Sequence, residues 1–376
     1  MSVWNITGRR LSKITNTVIK ILFAPLQGYT TAPYRKAHAE IFGGVDAYYA
    51  PFLRIENGQP REKDLRDLES PDIDGIANAN SVGNADATGA DYKVVPQIIA
   101  NSVYEFKTLA DALLQKGFTE IDFNMGCPFP MQVNRHRGAG ILGDVHAVQE
   151  IMDEIRKMSD SATETASKDL NGTASTIANR IAPIKFSVKM RLGQNSPDEA
   201  FTLLPVLNDT PLAHITLHPR LGKQKYKGAI DFDSFGRFYN ECKHPLVYNG
   251  DITTVSQINE LERKYSKLAG IMIGRGLLAR PSLAAEYKAL RNETDSTSVH
   301  STDCEATPQE LLGKILQMHQ EIFYNASKTH QGDSQILSHI QSFWDYLEPN
   351  IPKKIFKKIK KAGKLSEYKE AVALLG

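Results

Sequence analysis

The chain has few cysteines and no cysteine pair. Its 376 residues include only Cys127, Cys242 and Cys304, which lie far apart and show no Cys-x-x-Cys spacing. So few thiols exclude a disulfide framework, and the lack of paired thiols argues against a thiolate zinc site. This cysteine usage suits a reducing compartment, so we expect a cytoplasmic protein with no bound metal.

Long apolar runs are also missing. No stretch approaches the roughly 20 residues that a membrane helix needs, and the N-terminus lacks the apolar core of a secretory signal. Residues 1–39 contain no Asp or Glu, which faintly resembles a transit peptide, but a basic leader into the first strand is the favoured interpretation. The net charge of +2 indicates no particular partner. We therefore expect no membrane association.

The sequence does contain a repeated alternation of short, β-rich apolar runs and helix-like segments. Such alternation implies parallel strands joined by crossover helices. Eight units predict an α/β fold, the closed (β/α)8 or TIM barrel, ahead of a doubly wound open sheet, because no GxGxxG follows the first strand. The predicted strands occupy residues 19–27, 46–54, 94–100, 120–127, 184–191, 213–220, 245–251 and 270–276.

The length exceeds the usual limit for one hydrophobic core, so a second domain is expected. We predict a barrel domain over residues 1–291, a polar linker over 292–308 and a small C-terminal helical domain over 309–376. Segments 68–92 and 159–182 are rich in small polar residues, which predicts two surface insertions. Helical patterns in the C-terminal region cover residues 311–324, 336–347 and 351–375.

Polar residues collect at the ends of the predicted strands. In a barrel the active site forms at the C-terminal strand ends, whereas interior positions are mostly Val, Ile and Leu. Every predicted strand here delivers a polar, charged or backbone-exposing group to that rim. These groups are Pro25 with Leu26 and Gln27, Arg54, Gln97, Asn124 with Cys127, Lys189 with Arg191, His218 with Arg220, Asn249 with Asp251, and Gly274 with Arg275.

Two glycine turns follow predicted strands seven and eight. They are Asn249-Gly250-Asp251 and Gly274-Arg275-Gly276. Barrels commonly hold a phosphate at this point, where glycine lets backbone N–H groups approach the anion and arginine offers a charged fork. The location predicts a ligand with a phosphate group.

Lys189 and His218 end predicted strands five and six. A lysine and a histidine at these ends can hydrogen-bond an electron-rich ring such as a flavin. One alternative for Lys189 is a rim salt bridge with Asp122 or Asp251. An alternative for His218 is metal ligation with His214, but His214 opens its strand about 13 Å away at the rise per residue of a strand. A shared metal is therefore disfavoured.

Cys127 lies just past the end of its strand, in the pentapeptide Asn124-Met125-Gly126-Cys127-Pro128. Glycine and proline on either side of the cysteine stop the strand and leave the thiol at its C-terminal tip. For the pentapeptide alone, a thiol packed in a tight turn is an equally good interpretation. The polar rim around it favours a chemical role, and a thiol of ordinary pKa, protonated at neutral pH, suits a proton donor.

With these residues placed, the sequence resembles the tRNA-dihydrouridine synthase family across most of the barrel. The motifs occur in the family's order, which is far more specific than any one of them. They are Ala24-Pro25-Leu26-Gln27-Gly28-Tyr29-Thr30 with Tyr34-Arg35, Gln97, Asn124-Met125-Gly126-Cys127-Pro128 with Val133 and Gly138-Ala139-Gly140, Val188-Lys189-Met190-Arg191-Leu192-Gly193, Leu217-His218-Pro219-Arg220, Tyr226 with Gly228, Asn249-Gly250-Asp251 and Ile273-Gly274-Arg275-Gly276.

The resemblance implies FMN as cofactor, NADPH as its reductant and a uridine of tRNA as substrate. In that family the reduced flavin passes a hydride to C6 of the base and a cysteine, matched here by Cys127, protonates C5. Asn124 and Tyr226 match positions that face the uracil, and Arg54 and Arg220 are further candidate substrate contacts. The family's flavin contacts match Pro25, Leu26, Gln97, Lys189, His218, Asn249, Gly250, Asp251, Gly274 and Arg275.

The C-terminal region carries a lysine-rich segment. Residues 353–369 contain eight lysines and one acid, Glu367, and Ile351, Ile355 and Ile359 repeat every fourth residue. This pattern predicts an amphipathic helix with a lysine face. Alone, such a face is usually only solvated, but beside a barrel that modifies tRNA it favours phosphate contact. The helical domain matches the family's use of one to grip tRNA, and we expect a monomer.

The sequence departs from the family's pattern at three places. Leu26 stands where methionine is commoner, and Leu221 replaces the threonine usual after His-x-Arg. Phe129-Pro130-Met131 replaces the small or basic residues that often follow Cys-Pro, which predicts a stiffer loop after Cys127.

Two other functions compete with the leading one. The first is a flavin barrel that acts on a free pyrimidine or enone, and the lysine-rich segment argues against it. The second is a non-catalytic flavin- or RNA-binding protein, and the intact set of Asn124, Cys127, Lys189 and His218 argues against it. The sequence thus predicts an FMN- and NADPH-dependent tRNA-dihydrouridine synthase.

Overall fold

The computed structural model describes residues 18–68, 92–168, 183–295 and 307–376. Parallel strands alternate with helices through the first three of these ranges, and helices make up the fourth. The strands are β1 (Lys20–Phe23), β2 (Ala47–Tyr49), β3 (Ile55–Glu56), β4 (Gln59–Pro60), β5 (Val94–Val95), β6 (Gln97–Ile98), β7 (Glu120–Met125), β8 (Lys185–Gly193), β9 (Leu212–Leu221), β10 (Leu246–Asn249) and β11 (Leu268–Ile273).

The helices have capping signals that the sequence makes visible. Ser102 accepts a hydrogen bond from the Glu105 N–H at the start of α3, and Thr254 with Gln257 forms a capping box for α8. The helices are α1 (Ala32–Ile41), α2 (Glu62–Arg66), α3 (Val103–Gln115), α4 (Pro130–Val133), α5 (Val145–Lys168), α6 (Asp198–Asn208), α7 (Phe232–Glu241), α8 (Val255–Lys264), α9 (Arg275–Ala279), α10 (Leu283–Asp295), α11 (Pro308–Thr329), α12 (Asp333–Ile340), α13 (Lys353–Lys361) and α14 (Leu365–Ala373).

The large sheet closes through a strand that is interrupted at Pro96. The strand order is β5-β2-β1-β11-β10-β9-β8-β7-β6, so the two ends of the order are consecutive pieces of one segment. Pro96 has no N–H to donate, which breaks the ladder between β5 and β6. Its carbonyl still accepts from the Asp122 N–H, and Leu53 bridges to Ile98 across the junction. Eight parallel segments therefore form a closed barrel, and the TIM-barrel prediction is confirmed.

Side chains on neighbouring strand positions enter two separate apolar clusters. Ile21 and Phe23 belong to the large cluster that includes the barrel helices, while Leu22 and Ala24 belong to a small cluster with Tyr49, Val247 and Met272. Successive residues of a strand point to opposite faces of a sheet. The small cluster is thus the packed interior of the barrel, below the rim where the polar strand ends meet.

The C-terminal helices pack on the barrel and share a buried polar cluster of their own. Tyr368 Oη lies 2.7 Å from His319 Nε2 and accepts a hydrogen bond from Trp344 Nε1 at 2.7 Å. Helix α11 packs against α1 of the barrel. At the junction, Tyr29 donates a hydrogen bond to Asp345 at 2.9 Å. This contact places the helical region beside the first strand-to-helix loop of the barrel.

At three places the helices of the structure differ in extent from the segments predicted from sequence. Helix α5 runs to Lys168, into the predicted insertion 159–182, because the sequence offers no Gly or Pro to stop a helix before residue 171. Helix α10 runs to Asp295, into the predicted linker. The predicted helix 351–375 is split into α13 and α14 around Gly363, whose N–H donates to Glu367.

Other predicted segments fall outside the described residues. These are the first 17 residues, almost all of the insertion 68–92, the second half of the insertion 159–182 and linker residues 296–306. The division at residues 291 and 309 stays a prediction. Among the residues that the structure describes, no helix combines the length and apolar character that crossing a membrane requires.

Candidate active site

A cavity of about 640 Å³ opens at the C-terminal ends of the barrel strands. Most of the site residues predicted from sequence line it, so the strand ends do converge on one place. The lining includes Pro25, Leu26, Asn124, Cys127, Lys189, His218, Tyr226, Asn249, Gly250, Asp251, Gly274 and Arg275.

The loop after β7 fixes Cys127 tightly at the cavity wall. Its N–H donates to Asn124 Oδ1 at 2.9 Å, and its carbonyl accepts from the Ala139 N–H at 3.0 Å. Gly138 has φ +59, and a Cβ there would lie 2.7 Å from the Cys127 Cβ. The close approach explains why glycine follows Arg137, and it leaves the thiol little freedom to move.

Burial keeps the Cys127 thiol protonated. Only 8 % of the residue is exposed, and desolvation raises the pKa of the thiol above its ordinary value. The charges of Arg191 and Lys189 oppose this increase without reversing it. A nucleophilic cysteine needs a lowered pKa, so the environment suits a thiol that gives up a proton only during a reaction.

Lys189 presents an uncompensated cation to the cavity. Burial, aided by the charge of Arg191, lowers the pKa of its amine to about 8, while Asp122 acts in the opposite direction. The described part of the chain provides no hydrogen-bond or ion-pair partner for its Nζ, so neither predicted salt bridge forms. A half-buried cation that faces a cavity without a partner is costly, which indicates a site for an electron-rich ligand.

His218 is buried and neutral beside this cation. Desolvation first, and then the surrounding arginines and Lys189, lower the pKa of its imidazole well below the ordinary value. His214 bonds instead to Tyr49, with Nε2 and Oη 3.1 Å apart. No group of three His, Cys, Asp or Glu side chains suited to a metal occurs among the described residues.

The glycine turns after β10 and β11 are tied together by Asp251. Its carboxylate accepts hydrogen bonds from Arg220 at 2.5 Å and from Arg275 at 2.8 Å. The Arg220 hydrogen bond is the main cause that lowers the pKa of Asp251. Gly250 has φ +154, and a Cβ there would lie 2.9 Å from Ile230 Cδ1, so only glycine fits that turn.

Three predicted site residues do not line the cavity. Gln97 is fully buried below it, between Asp122 and Asn124. Arg220 is buried against the Gly228 carbonyl and Asp251, and Arg54 pairs with Asp64 at 3.3 Å. Direct contact of Gln97 with a flavin, or of the two arginines with a substrate, stays a prediction.

Arg191 holds two loops of the site together, a role that was not predicted from its sequence position. Its Nε donates to the Gly126 carbonyl at 3.0 Å, and its Nη1 donates to the Lys225 carbonyl at 2.7 Å. It thus joins the Cys127 loop to the loop that carries Tyr226, whose ring lies 5.5 Å from the Arg191 guanidinium and 4.5 Å from that of Arg275. The sequence feature that could have indicated this role is the position of Arg191 two residues after Lys189.

The helical region contributes Tyr346 to the cavity wall. The Tyr346 ring meets the Tyr29 ring edge to face, with centroids 5.3 Å apart. Its neighbour Asp345 accepts from Tyr29 and pairs with Lys360 of α13. No local sequence pattern marks Tyr346, since its partners are on distant parts of the chain.

Comparisons with known proteins find similarity over most of the chain. The model of the family described as "Dihydrouridine synthase (Dus)" matches residues 22–373. A tRNA-dihydrouridine(16) synthase of Pseudomonas putida is 27% identical over 278 residues, which cover 74% of this chain and 76% of that protein. A probable tRNA-dihydrouridine synthase of Helicobacter pylori is 26% identical, covering 73% and 70%. Among solved structures, histamine dehydrogenase from Rhizobium sp. 4-9 is similar with a TM-score of 0.47 and 11% identity, over 80% of this chain and 49% of that one.

Proposed function

The chain belongs to the dihydrouridine synthase family, and from that premise we propose that it reduces a uridine of tRNA to 5,6-dihydrouridine, with FMN as cofactor and NADPH as reductant. The observation that carries the proposal is the shared cavity: Cys127, Lys189 and His218 line one space at the strand ends. A proton donor, a half-buried cation and a neutral imidazole are groups that suit reduction of a pyrimidine double bond beside a flavin. We assign the reaction to the cytoplasm, because the sequence has few cysteines and no Cys-x-x-Cys pair.

The residues present fit FMN. Lys189, half-buried and without a partner in the described part of the chain, would offer its charge to the ring, and His218 would offer a hydrogen bond. Gly250 and Gly274 lie in the loops after the last two strands, where a barrel holds a phosphate. A Cβ at Gly274 would lie 3.4 Å from the Ala24 Cβ and 3.5 Å from Leu26, so a larger residue would narrow this part of the cavity. Bound FMN, once reduced by NADPH, supplies the hydride that goes to C6 of the uracil ring.

Cys127 supplies the proton that completes the reaction. As the C6–H bond forms, negative charge builds on C5 and O4 of the base. The thiol S–H bond breaks, a C5–H bond forms, and the resulting thiolate regains a proton from solvent. Because burial raises the pKa of the thiol, the proton stays on sulfur until the base has become basic enough to take it.

The substrate must present a single base to a cavity at the end of a barrel. A uridine within folded RNA has to leave its stack to reach Cys127, and its neighbours remain outside. The side chains of Lys353, Lys354, Lys357 and Lys358 are exposed on α13, while Ile351 and Ile359 are buried. We call these four lysines the lysine face and assign to them contact with tRNA phosphates.

The test is reconstitution with purified protein. Flavin absorbance is recorded first, and the protein is then incubated with NADPH and either unmodified tRNA or free uridine. We expect FMN to be bound and dihydrouridine to form in tRNA only. Position 16 is the first to examine by nucleoside mapping, because several similar proteins are named for it. Reduction of free uridine at a comparable rate would favour the free-pyrimidine enzyme, and a protein that cannot bind FMN would refute both.

A further inference from the structure

A chain of hydrogen bonds runs from the barrel interior to the Cys127 loop. Gln97 Nε2 donates to Asp122 Oδ2 at 2.7 Å, and Asn124 Nδ2 donates to Gln97 Oε1 at 2.7 Å. Asn124 Oδ1 then accepts from the backbone N–H groups of Gly126 at 3.0 Å and Cys127 at 2.9 Å. We call Asp122, Gln97 and Asn124 the amide relay.

Asp122 determines the direction of every bond in the amide relay. The residue is fully buried, and its second oxygen accepts from Ser187 Oγ at 2.6 Å, so both oxygens act as acceptors. Burial raises the pKa of Asp122 to about 6, against the hydrogen bonds from Gln97 and Ser187, so above that pH the residue is ionised and has no hydrogen to donate. Gln97 must therefore turn its NH₂ toward Asp122 and its oxygen toward Asn124. Asn124 in turn must donate to Gln97 through its own NH₂.

Counting donors and acceptors shows what Asn124 has left. Its Oδ1 already accepts two hydrogen bonds, which uses both lone pairs. Its Nδ2 carries two hydrogens, and Gln97 takes one. The remaining N–H is the unused group of a side chain that lines the same cavity as Cys127.

We propose that Asp122 is a positioning residue, which acts through Gln97 to orient Asn124 so that one side chain both fixes the Cys127 loop and offers a donor to a uracil carbonyl. The inference rests on the proposed function for the identity of the ligand. Hydride addition to C6 places negative charge on O4, which a donor stabilises and an acceptor would repel. A buried carboxylate beneath the site thereby selects the polarity of the group that meets the substrate.

Moving the charge along the amide relay tests this proposal. N124D keeps oxygens for the two backbone N–H groups but leaves the oxygen of Gln97 facing a carboxylate. The double variant D122N/N124D lets Gln97 turn over, because position 122 then donates and position 124 accepts. The double variant restores every hydrogen bond of the amide relay but leaves the side chain at position 124 with no N–H for a ligand. N240D makes the same chemical change at an exposed amide of α7 and serves as the control.

Stability and thiol access report on the amide relay without substrate. We expect N124D to lower the melting temperature by at least about 4 °C, since it buries a second carboxylate and leaves one of its oxygens facing the oxygen of Gln97. It should also raise the rate of iodoacetamide labelling at Cys127, read from the Cys127 peptide, by about fivefold or more. The double variant should recover at least half of both changes, and N240D should show neither. A double variant no more stable than N124D would overturn the proposal.

Turnover reports on the lost donor. Per bound flavin, kcat should fall about 100-fold in N124D and should stay low in the double variant despite its recovered stability, while KM for tRNA changes less than about threefold. A double variant with native kcat would also overturn the proposal. If the native protein makes no dihydrouridine, the proposed function fails, but melting and labelling still decide whether Asp122 orients Asn124.

Discussion

The lysine face gives the most quantitative prediction. Replacing Lys353, Lys354, Lys357 and Lys358 with Gln removes four exposed cations from one side of α13 and leaves its buried Ile359 in place. Each phosphate that a cation neutralises contributes about 0.9 to the slope of log affinity against log salt. Four contacts therefore contribute about 3.6, and between 50 and 200 mM salt native binding should weaken about 100-fold more than binding by the variant.

The assay is tRNA binding by filter retention or fluorescence anisotropy at several salt concentrations. The control variant replaces Lys20, Lys185, Lys243 and Lys267 with Gln, because these residues open or precede strands at the far end of the barrel. It carries the same net charge as the test variant and should keep the native slope. Equal slopes for the native protein and the lysine-face variant would refute the assignment, and an equal loss in both variants would show that only net charge matters.

Two further predictions follow from buried contacts. Gly138→Ala places a methyl group 2.7 Å from the Cys127 Cβ at φ +59, so the rate of dihydrouridine formation per bound flavin should fall at least about 10-fold. The control Gly143→Ala has open space around the new methyl group and should keep the native rate. A native rate for Gly138→Ala would contradict a rigid Cys127 loop. Burial lowers the pKa of His319 from 6.5 to about 4. The free energy of unfolding is therefore unaffected by this group above pH 6.5 and falls by about 3 kcal/mol in all as the pH is lowered to 4, because only the unfolded chain takes up the proton in that range. Urea unfolding at pH 7 and pH 4 should therefore show that His319→Gln loses less unfolding free energy between the two pH values than the native protein or the exposed control His146→Gln. Equal losses of unfolding free energy in all three proteins would contradict this role of His319.

The barrel could be predicted because its determinants are local. Apolar runs near Phe23, Phe123 and Val188 alternate with helical patterns, and parallel strands joined in this way have few alternatives. The carboxyl ends of such strands meet at one rim, so Cys127 and Lys189 could be placed together without a structure. The continuation of α5 to Lys168 could not be predicted, because a polar segment without Gly or Pro suits a loop or an exposed helix equally well.

Side-chain partners and distant contacts were beyond the sequence. The family resemblance matched Gln97 to a flavin contact, which stays a prediction. In the structure its amide bonds Asp122 and Asn124, and neither the motif nor the strand periodicity carries information on those two partners. Tyr346 reaches the cavity because neighbouring Asp345 bonds Tyr29, which is 316 residues away in the chain. Such contacts depend on how the C-terminal helices pack on the barrel.

The central claim is that Cys127 gives the proton to C5, and the most direct test follows the two half-reactions of Cys127→Ala separately. In stopped-flow experiments, reduction of the bound flavin by NADPH should stay within about threefold of the native rate, since the thiol has no part in it. Reoxidation of the reduced flavin by unmodified tRNA should slow by about 100-fold or more, the loss typical of a missing general acid. Reoxidation by tRNA at the native rate in Cys127→Ala would contradict the account.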